Sequence, residues 1–377
     1  MKWVSKRLGD VADFHLGKML DEQKNRGEPL PYLANVNVRW GEFDMDHLRQ
    51  MRFEPDEMEQ YGLKYGDIVM CEGGEPGRCA IWKETVPGMM IQKALHRIRA
   101  RDGMDHRFLF YSFLHRGKIG GFASLFTGST IKHLPRQNLA KLEINFPPLP
   151  TQHRIASILS AYDDLIENNR RRIALLEQSA RLLYEEWFVR LKFPGHERTR
   201  IVNGVPVAWE RMSLGDALTL HRGYDLPEEA REPGDIPVYA STGVTGFHNI
   251  PKAKGPGVVT GRSGTLGMVL YVPGDFWPLN TALFVSEFKT VSPVFALFLL
   301  RTLNLDQYNG GASVPTLDRK AAHRIDVVLP APQLRVCFEE HAQQVLTQIQ
   351  NVSRQNQKLR AARDLLLPRL MNGEITT

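Results

Sequence analysis

Two sets of hydrogen-bond donors stand on glycine-rich stretches of this 377-residue sequence. Arg78, Lys93, Lys132, His133 and Arg136 lie in or beside expected turns of its first part. Thr242, His248, Arg262, Thr281 and Arg319 lie at comparable places further on. Guanidinium and ammonium groups contact phosphates or guanine edges, and hydroxyl or imidazole groups add contacts to base edges. Any one of these residues alone reads as an exposed solubilising charge. As two sets on turn-forming loops they point to nucleic acid. The net charge of +6 agrees, because it favours a polyanionic partner over an acidic protein.

No catalytic constellation accompanies these donors. GRSGTLG at Gly261 lacks the Lys-Ser/Thr pair that would hold phosphates and magnesium, and no GxGxxG follows an expected strand. NFPPL at Asn145 resembles the Asn-Pro-Pro-aromatic grip on a flipped base only in scrambled order, with Phe146 ahead of the prolines. EPDEMEQ at Glu54 clusters acids that a metal-dependent nuclease would need, but it occurs once and reads as a solvated face. Cys71, Cys79 and Cys337 are too few and too scattered for a disulfide framework, and no metal-ligand spacing surrounds them. We expect no catalysis, no metal and no cofactor in this chain. With 42 % hydrophobic and 24 % charged residues, no apolar run near the ~18 that a bilayer span needs, and no apolar core in MKWVSKRLGD, a cytoplasmic location is expected.

The elements that must position the donors are duplicated. WVSKRLGDVADFHLGKML returns as WERMSLGDALTLHRGYDL, so that Trp3, Leu8, Gly9, Asp10, His15, Gly17 and Leu20 recur 206 positions later, as do Pro31 and Ala34. The first copy carries extra residues around Trp40 to Leu63. Beyond them GDIVMCEGGEPGRCAIW resembles GVVTGRSGTLGMVLY, QKALHR at Gln92 faces NTALFV at Asn280, and GSTIKHLPR faces GASVPTLDR at Gly311. Short strands between glycine turns, with one apolar helical run per copy near Phe108 to Leu114 and Val294 to Leu303, predict mixed domains of ordinary size. Pro147, Pro148, Pro150, Pro330 and Pro332 mark the exits, and KFPGHERTRIVNGVPVAWE reads as a linker.

Each exit feeds a helix with apolar residues at spacings of three and four. One seam is Ile155, Leu159, Tyr162, Ile166, Ile173, Leu176, Ala180, Leu183 and Trp187; the other is Phe338, Ala342, Val345, Ile349, Val352, Leu359 and Leu366. Such narrow stripes favour mutual burial. In an antiparallel register whose facing numbers sum to 525, Leu159 meets Leu366, Ile166 meets Leu359, and Asn169 meets Asn356. The asparagines would select that register. Tyr162 would face Arg363, with Pro368 stopping the helix nearby. From Ile155 to Trp187 such a helix spans about 50 Å, on the order of 15 base pairs.

The whole layout resembles the specificity subunit of type I restriction-modification systems. PPLPTQHRIASILSAYDDLIENNRRRIALLEQSARLLYEEWFVRLKFPGHE is similar to that family's central region, and VPVAWERMSLGD to its approach to a second recognition domain. PVYASTGVTG, VVTGRSGTLG and FWPLNTALFV are similar to its recognition-domain signature, from which PYLANVNV and CEGGEPGRC in the first copy depart. The resemblance implies an α+β, pseudo-twofold chain. Residues 1–150 and 196–331 would be target recognition domains, separated by helices 151–195 and 332–377 in an antiparallel coiled coil. It implies that each domain reads half of an asymmetric, bipartite site in double-stranded DNA. The implied partners are two methyltransferase subunits binding S-adenosylmethionine and a restriction subunit using ATP and magnesium, with catalysis left to them. The rival readings are a two-domain coiled-coil adaptor for protein or RNA, and an enzyme without familiar motifs.

Overall fold

A computed structural model describes residues 3–19, 21, 25–46, 48–310 and 315–375; Leu20 and Gly311, both used in aligning the repeats, lie outside them. The first copy comprises β1 (Val4–Arg7), α1 (Leu8–Val11), β2 (Ala12–Leu16), β3 (Glu28–Leu33), β4 (Arg49–Phe53), α2 (Glu57–Tyr61), β5 (Ile68–Cys71), β6 (Cys79–Ile81), β7 (Met90–Ile91), β8 (Leu95–Ala100), α3 (His106–Lys118), α4 (Arg136–Ala140) and β9 (Glu143–Phe146). Helix α5 (Leu149–Tyr184) follows, then the ribbon β10 (Ile201–Val202) and β11 (Val205–Pro206). The second copy comprises β12 (Glu210–Ser213), α6 (Leu214–Ala217), β13 (Leu218–Arg222), β14 (Ile236–Ala240), β15 (Gly243–His248), β16 (Gly257–Gly261), β17 (Val269–Val272), β18 (Trp277–Pro278), β19 (Ala282–Phe288), α7 (Pro293–Thr302), α8 (Arg319–His323) and β20 (Asp326–Leu329), and α9 (Pro332–Met371) closes the chain.

The copies share one topology. The first has sheets β1-β9, β2-β8-β5-β6 and β4-β3-β7, and the second has β12-β20, β13-β19-β16-β17 and β15-β14-β18. Separate sheets with helices packed beside them make the class α+β. The extra stretch of the first copy is not all insertion, because β4 pairs antiparallel with β3 as β15 does with β14. Nor is EPDEMEQ simply a solvated face: Glu57 of α2 ion-pairs with Lys18, which is buried and also donates to the Arg52 carbonyl at 2.9 Å. The linker is likewise partly structured. Asn203 and Gly204, both with positive φ, turn the β10-β11 ribbon, and Phe193 packs at 5.4 Å on Trp209.

Backbone bonding also corrects one alignment. The Gln92 N–H bonds to the Leu33 carbonyl as that of Leu279 bonds to Tyr239, so Gln92 matches Leu279 rather than Asn280. A β-bulge at Thr219/Leu220 skips Ser286 in the second copy, and this extra residue restores the apparent sequence offset further along the strand.

The chain forms two compact units, residues 1–169 with 354–377, and residues 170–353. In the first, Asp105 caps α3 by accepting from the Arg107 and Phe108 amides, and the helix buries Phe108, Leu109, Phe110, Phe113 and Leu114. Ile155, Leu159, Leu367 and Leu370 join that core. Asn169 Nδ2 donates to Asn356 Oδ1 at 2.9 Å, both side chains being buried, and Asn356 Nδ2 donates to the Ile166 carbonyl at 3.3 Å. Two layers on, where Tyr162 is expected to face Arg363, the arginine ion-pairs with Asp163 and Asp364, and Tyr111 donates to Asp163 at 2.6 Å. Pro368 does not stop α9. It removes one donor in the last turn, and its own carbonyl still accepts from the Asn372 amide at 2.9 Å.

In the second unit Ser292 caps α7, Pro293 opens it, and Val294 to Leu300 are buried. Burial on the long helices centres on Tyr184, Phe338, Ala342 and Leu346. Tyr184 and Leu346 lie one residue beyond the predicted Leu183 and Val345, because the seam also faces α7: the Tyr184 ring lies 5.5 Å from those of Phe295 and Phe338.

Candidate nucleic-acid interface

In the second unit the donors are brought together at one end of the central strand β16. The chain leaves Gly261 into a loop whose turns use Gly264 and Gly267 at φ +85 and +81, a region that disfavours side chains. The backbone of Arg262 is fixed from both sides: its N–H bonds to the Thr281 carbonyl at 2.9 Å, and its carbonyl accepts from Leu317 at 2.8 Å. The side chain is turned by a 3.1 Å bond from Nη1 to the Asn280 carbonyl. Arg222 ends β13, and Arg319 and Lys320 open α8, where Asp318 caps the helix by accepting the Lys320 amide at 2.8 Å. Arg222, Arg262, Thr316, Asp318, Arg319 and Lys320 line a pocket of about 420 Å³. Four cations surround one carboxylate that is committed to a helix cap. The Thr281 hydroxyl, whose residue meets Arg262 through its backbone carbonyl, is buried and has no partner among the described residues. This arrangement can hold a phosphate, or present guanidinium forks to the O6 and N7 of guanine.

The first unit has the same frame with other side chains. Gly74 and Gly77 turn at φ +79 and +90, Leu134 donates to the Glu72 carbonyl at 2.8 Å, and Gly73 bridges to His133 as Ser263 does to Thr316. Glu72 therefore stands where Arg262 stands in the other copy. Its Oε2 lies 3.1 Å from His133 Nδ1. Arg136 opens α4 as Arg319 opens α8, and stacks 5.4 Å from the Phe14 ring centroid. Lys93 and Lys132 are exposed.

Of the residues expected from sequence, the structure unites Arg262, Arg319 and Thr281 in one copy and His133 with Arg136 in the other. Thr242 is exposed on the β14-β15 turn, in a different sheet. Arg78 is committed to Glu75 and the Asn35 carbonyl, each at 2.8 Å. His248 points inward: it is 6 % exposed, its Nδ1 accepts the Glu232 amide at 3.1 Å, and its ring packs 5.3 Å from Trp277. Sequence reasoning missed Glu72, Arg222 and Lys320. Their signal lay in the repeat, at positions where the frame is kept and the residue type changes. Among the described residues no group of three His, Cys, Asp or Glu side chains could hold a metal ion, and no helix is long and apolar enough to cross a membrane.

Residues 1–178 match the family model of the type I restriction modification DNA specificity domain. The type I restriction enzyme MjaIX specificity subunit of Methanocaldococcus jannaschii is 26 % identical over 406 aligned positions, covering 99 % of this chain and 93 % of that one. The type I restriction enzyme HindI specificity subunit of Haemophilus influenzae is 22 % identical and covers 65 % and 72 %. Among solved structures, the type I restriction-modification S subunit from M. genitalium superposes with a TM-score of 0.59 at 20 % identity, covering 98 % of this chain and 96 % of that one, a likeness of fold.

Proposed function

We propose that this chain is a type I restriction-modification specificity subunit, as the match over residues 1–178 and the full-length similarity to such subunits support, and that it reads a bipartite, asymmetric site in double-stranded DNA, one half by each copy. The observation that carries this reading is the duplicated loop with unequal contents, above all the cluster of Arg222, Arg262, Arg319 and Lys320 at the end of β16. Cations on a rigid frame hold phosphates and fix the protein on the duplex, while side chains at the loop tips meet base edges. Two readers on one chain gain affinity, since the second contact is intramolecular.

In the same proposal the long helices hold two methyltransferase subunits that bind S-adenosylmethionine, and a restriction subunit that uses ATP and magnesium. The chemistry resides in those partners, and this chain contributes recognition. Exchanging Pro206 to Ala331 for the matching segment of a relative tests the division of labour. Mapping of methylated bases in the host genome should show one half of the site changed and the other kept. Loss of both halves with a folded protein argues against independent readers, and a methylation pattern that does not depend on this gene argues against the reading altogether.

A further inference from the structure

We propose that Glu72 and Arg262 are the base-discriminating residues of their respective copies, Glu72 accepting from a base amino group and Arg262 donating to guanine. The inference rests on the DNA-reading function proposed above and goes further by assigning opposite chemistry to one structural position. Three marks make the position the same. A left-handed glycine follows two residues later and another five residues later, at Gly74 and Gly77 or Gly264 and Gly267. The carbonyl at that position accepts the amide of Leu134 or Leu317 at 2.8 Å in each case. The next residue bridges to His133 or Thr316.

With the backbone pinned alike, the side chain is the variable. Affinity for a polyanion does not account for a carboxylate there, since phosphates repel it. An acceptor does account for it: a carboxylate takes a hydrogen bond from cytosine N4, or from the adenine amino group, and cannot donate to guanine O6. The Glu72 side chain is 23 % exposed, and His133, 47 % exposed, lies against Oε2 alone in the bonds it makes. That contact orients the carboxylate. Arg262 is oriented in the same manner by the Asn280 carbonyl, which takes Nη1 and leaves the rest of the fork to face the pocket.

The test uses the assembled methyltransferase complex with selection of bound duplexes from a randomised pool, comparing the original chain with Glu72→Gln, Arg262→Gln and His133→Ala. Glu72→Gln should change the preferred base at one position of one half-site by about 10-fold, the lower end of what a base-edge contact discriminates, since a base amino group offers the carboxylate a single N–H. Arg262→Gln should do so at one position of the other half-site. His133→Ala should weaken the Glu72-dependent preference without shifting it to a new base. If Glu72→Gln keeps every base preference while the melting temperature is unchanged, or lowers affinity for all sequences alike, the proposal is overturned. If the original complex selects no motif at all, the DNA-reading function fails and takes this assignment with it. A selected motif that Glu72→Gln leaves intact overturns the assignment alone.

Discussion

At the end of the central strand one copy carries Glu72 and the other Arg262, and at the end of the outer strand one carries Leu16 and the other Arg222. Arg136 and Arg319 open equivalent helices, but the residue after them is Gln137 in the first copy and Lys320 in the second. Beneath the loop the first copy has His96, fully buried with Nε2 2.7 Å from the Leu134 carbonyl, where the second has Leu283. The second frame thus holds up four cations. The first holds up one arginine and an acid–imidazole pair. Backbone bonding is retained while charge is not, so the fold does not need these side chains. Such variation at fixed geometry is what a pair of readers for different sequences requires.

The difference predicts unequal shares of DNA affinity. Replacing Arg222, Arg262 and Arg319 by alanine together should cost about 3 kcal/mol or more of binding by the complex, at roughly 1 kcal/mol or more for each arginine. Arg136→Ala in the first copy should cost about 1 kcal/mol. The slope of log affinity against log salt should fall by about one for each phosphate that a variant no longer neutralises. Titrations at several salt concentrations measure both. Equal effects of the triple and the single variant would break the comparison.

The repeat, the exits and both long helices were legible because the residues that set them are retained: Leu8, Gly9, Gly17 and the apolar spacing of each seam. The asparagine pair was legible because two polar interruptions fell in one register, and Asn169 bonds to Asn356 at 2.9 Å. Other features depended on contacts distant in sequence. Lys18 recruits Glu57 from what reads as a surface acid cluster. His248 turns inward because a backbone amide and Trp277 receive it. The bulge at Leu220 shifts one strand offset without leaving a glycine or proline to mark it. Glu72 and Arg222 escaped for a different reason, since similarity between the copies draws attention to positions that match, and these two carry information by failing to match.

The long helices meet through a polar pair in the first unit and through aromatic packing in the second, and the two should answer differently to mutation. Asn169→Leu alone leaves the buried Asn356 amide without its partner, which should lower the stability of the first unit by about 1–3 kcal/mol. Adding Asn356→Leu removes both polar groups and should recover most or all of it, at the expense of a fixed register. Denaturant unfolding followed by amide exchange on each unit gives the comparison. A single variant as stable as the original chain would show that the amide is satisfied without its neighbour.

The smallest expected effect concerns the bulge that only the second copy has. There the Leu220 N–H has left the sheet ladder and donates to His323 Nε2 at 2.9 Å. The matching residue in the first copy is Ala140, which lies against Gly9 as His323 lies against Gly215, and the matching strand there has no bulge. His323→Ala should therefore cost the second unit about 1 kcal/mol at neutral pH, the value of one such bond. Burial, followed by Arg319 and Lys289, holds the imidazole below its ordinary range. The unfolded chain then binds that proton more readily than the folded one, so stability rises with pH across the window between the two values. The contribution is complete above the unfolded value of about 6.5 and is lost as pH falls through the lower folded value, where a protonated ring can no longer accept from Leu220. Thermal unfolding at pH 7 and pH 5 should show the His323→Ala chain losing less stability on acidification than the original. Parallel losses in the two chains would mean that the bulge amide does not depend on the ring.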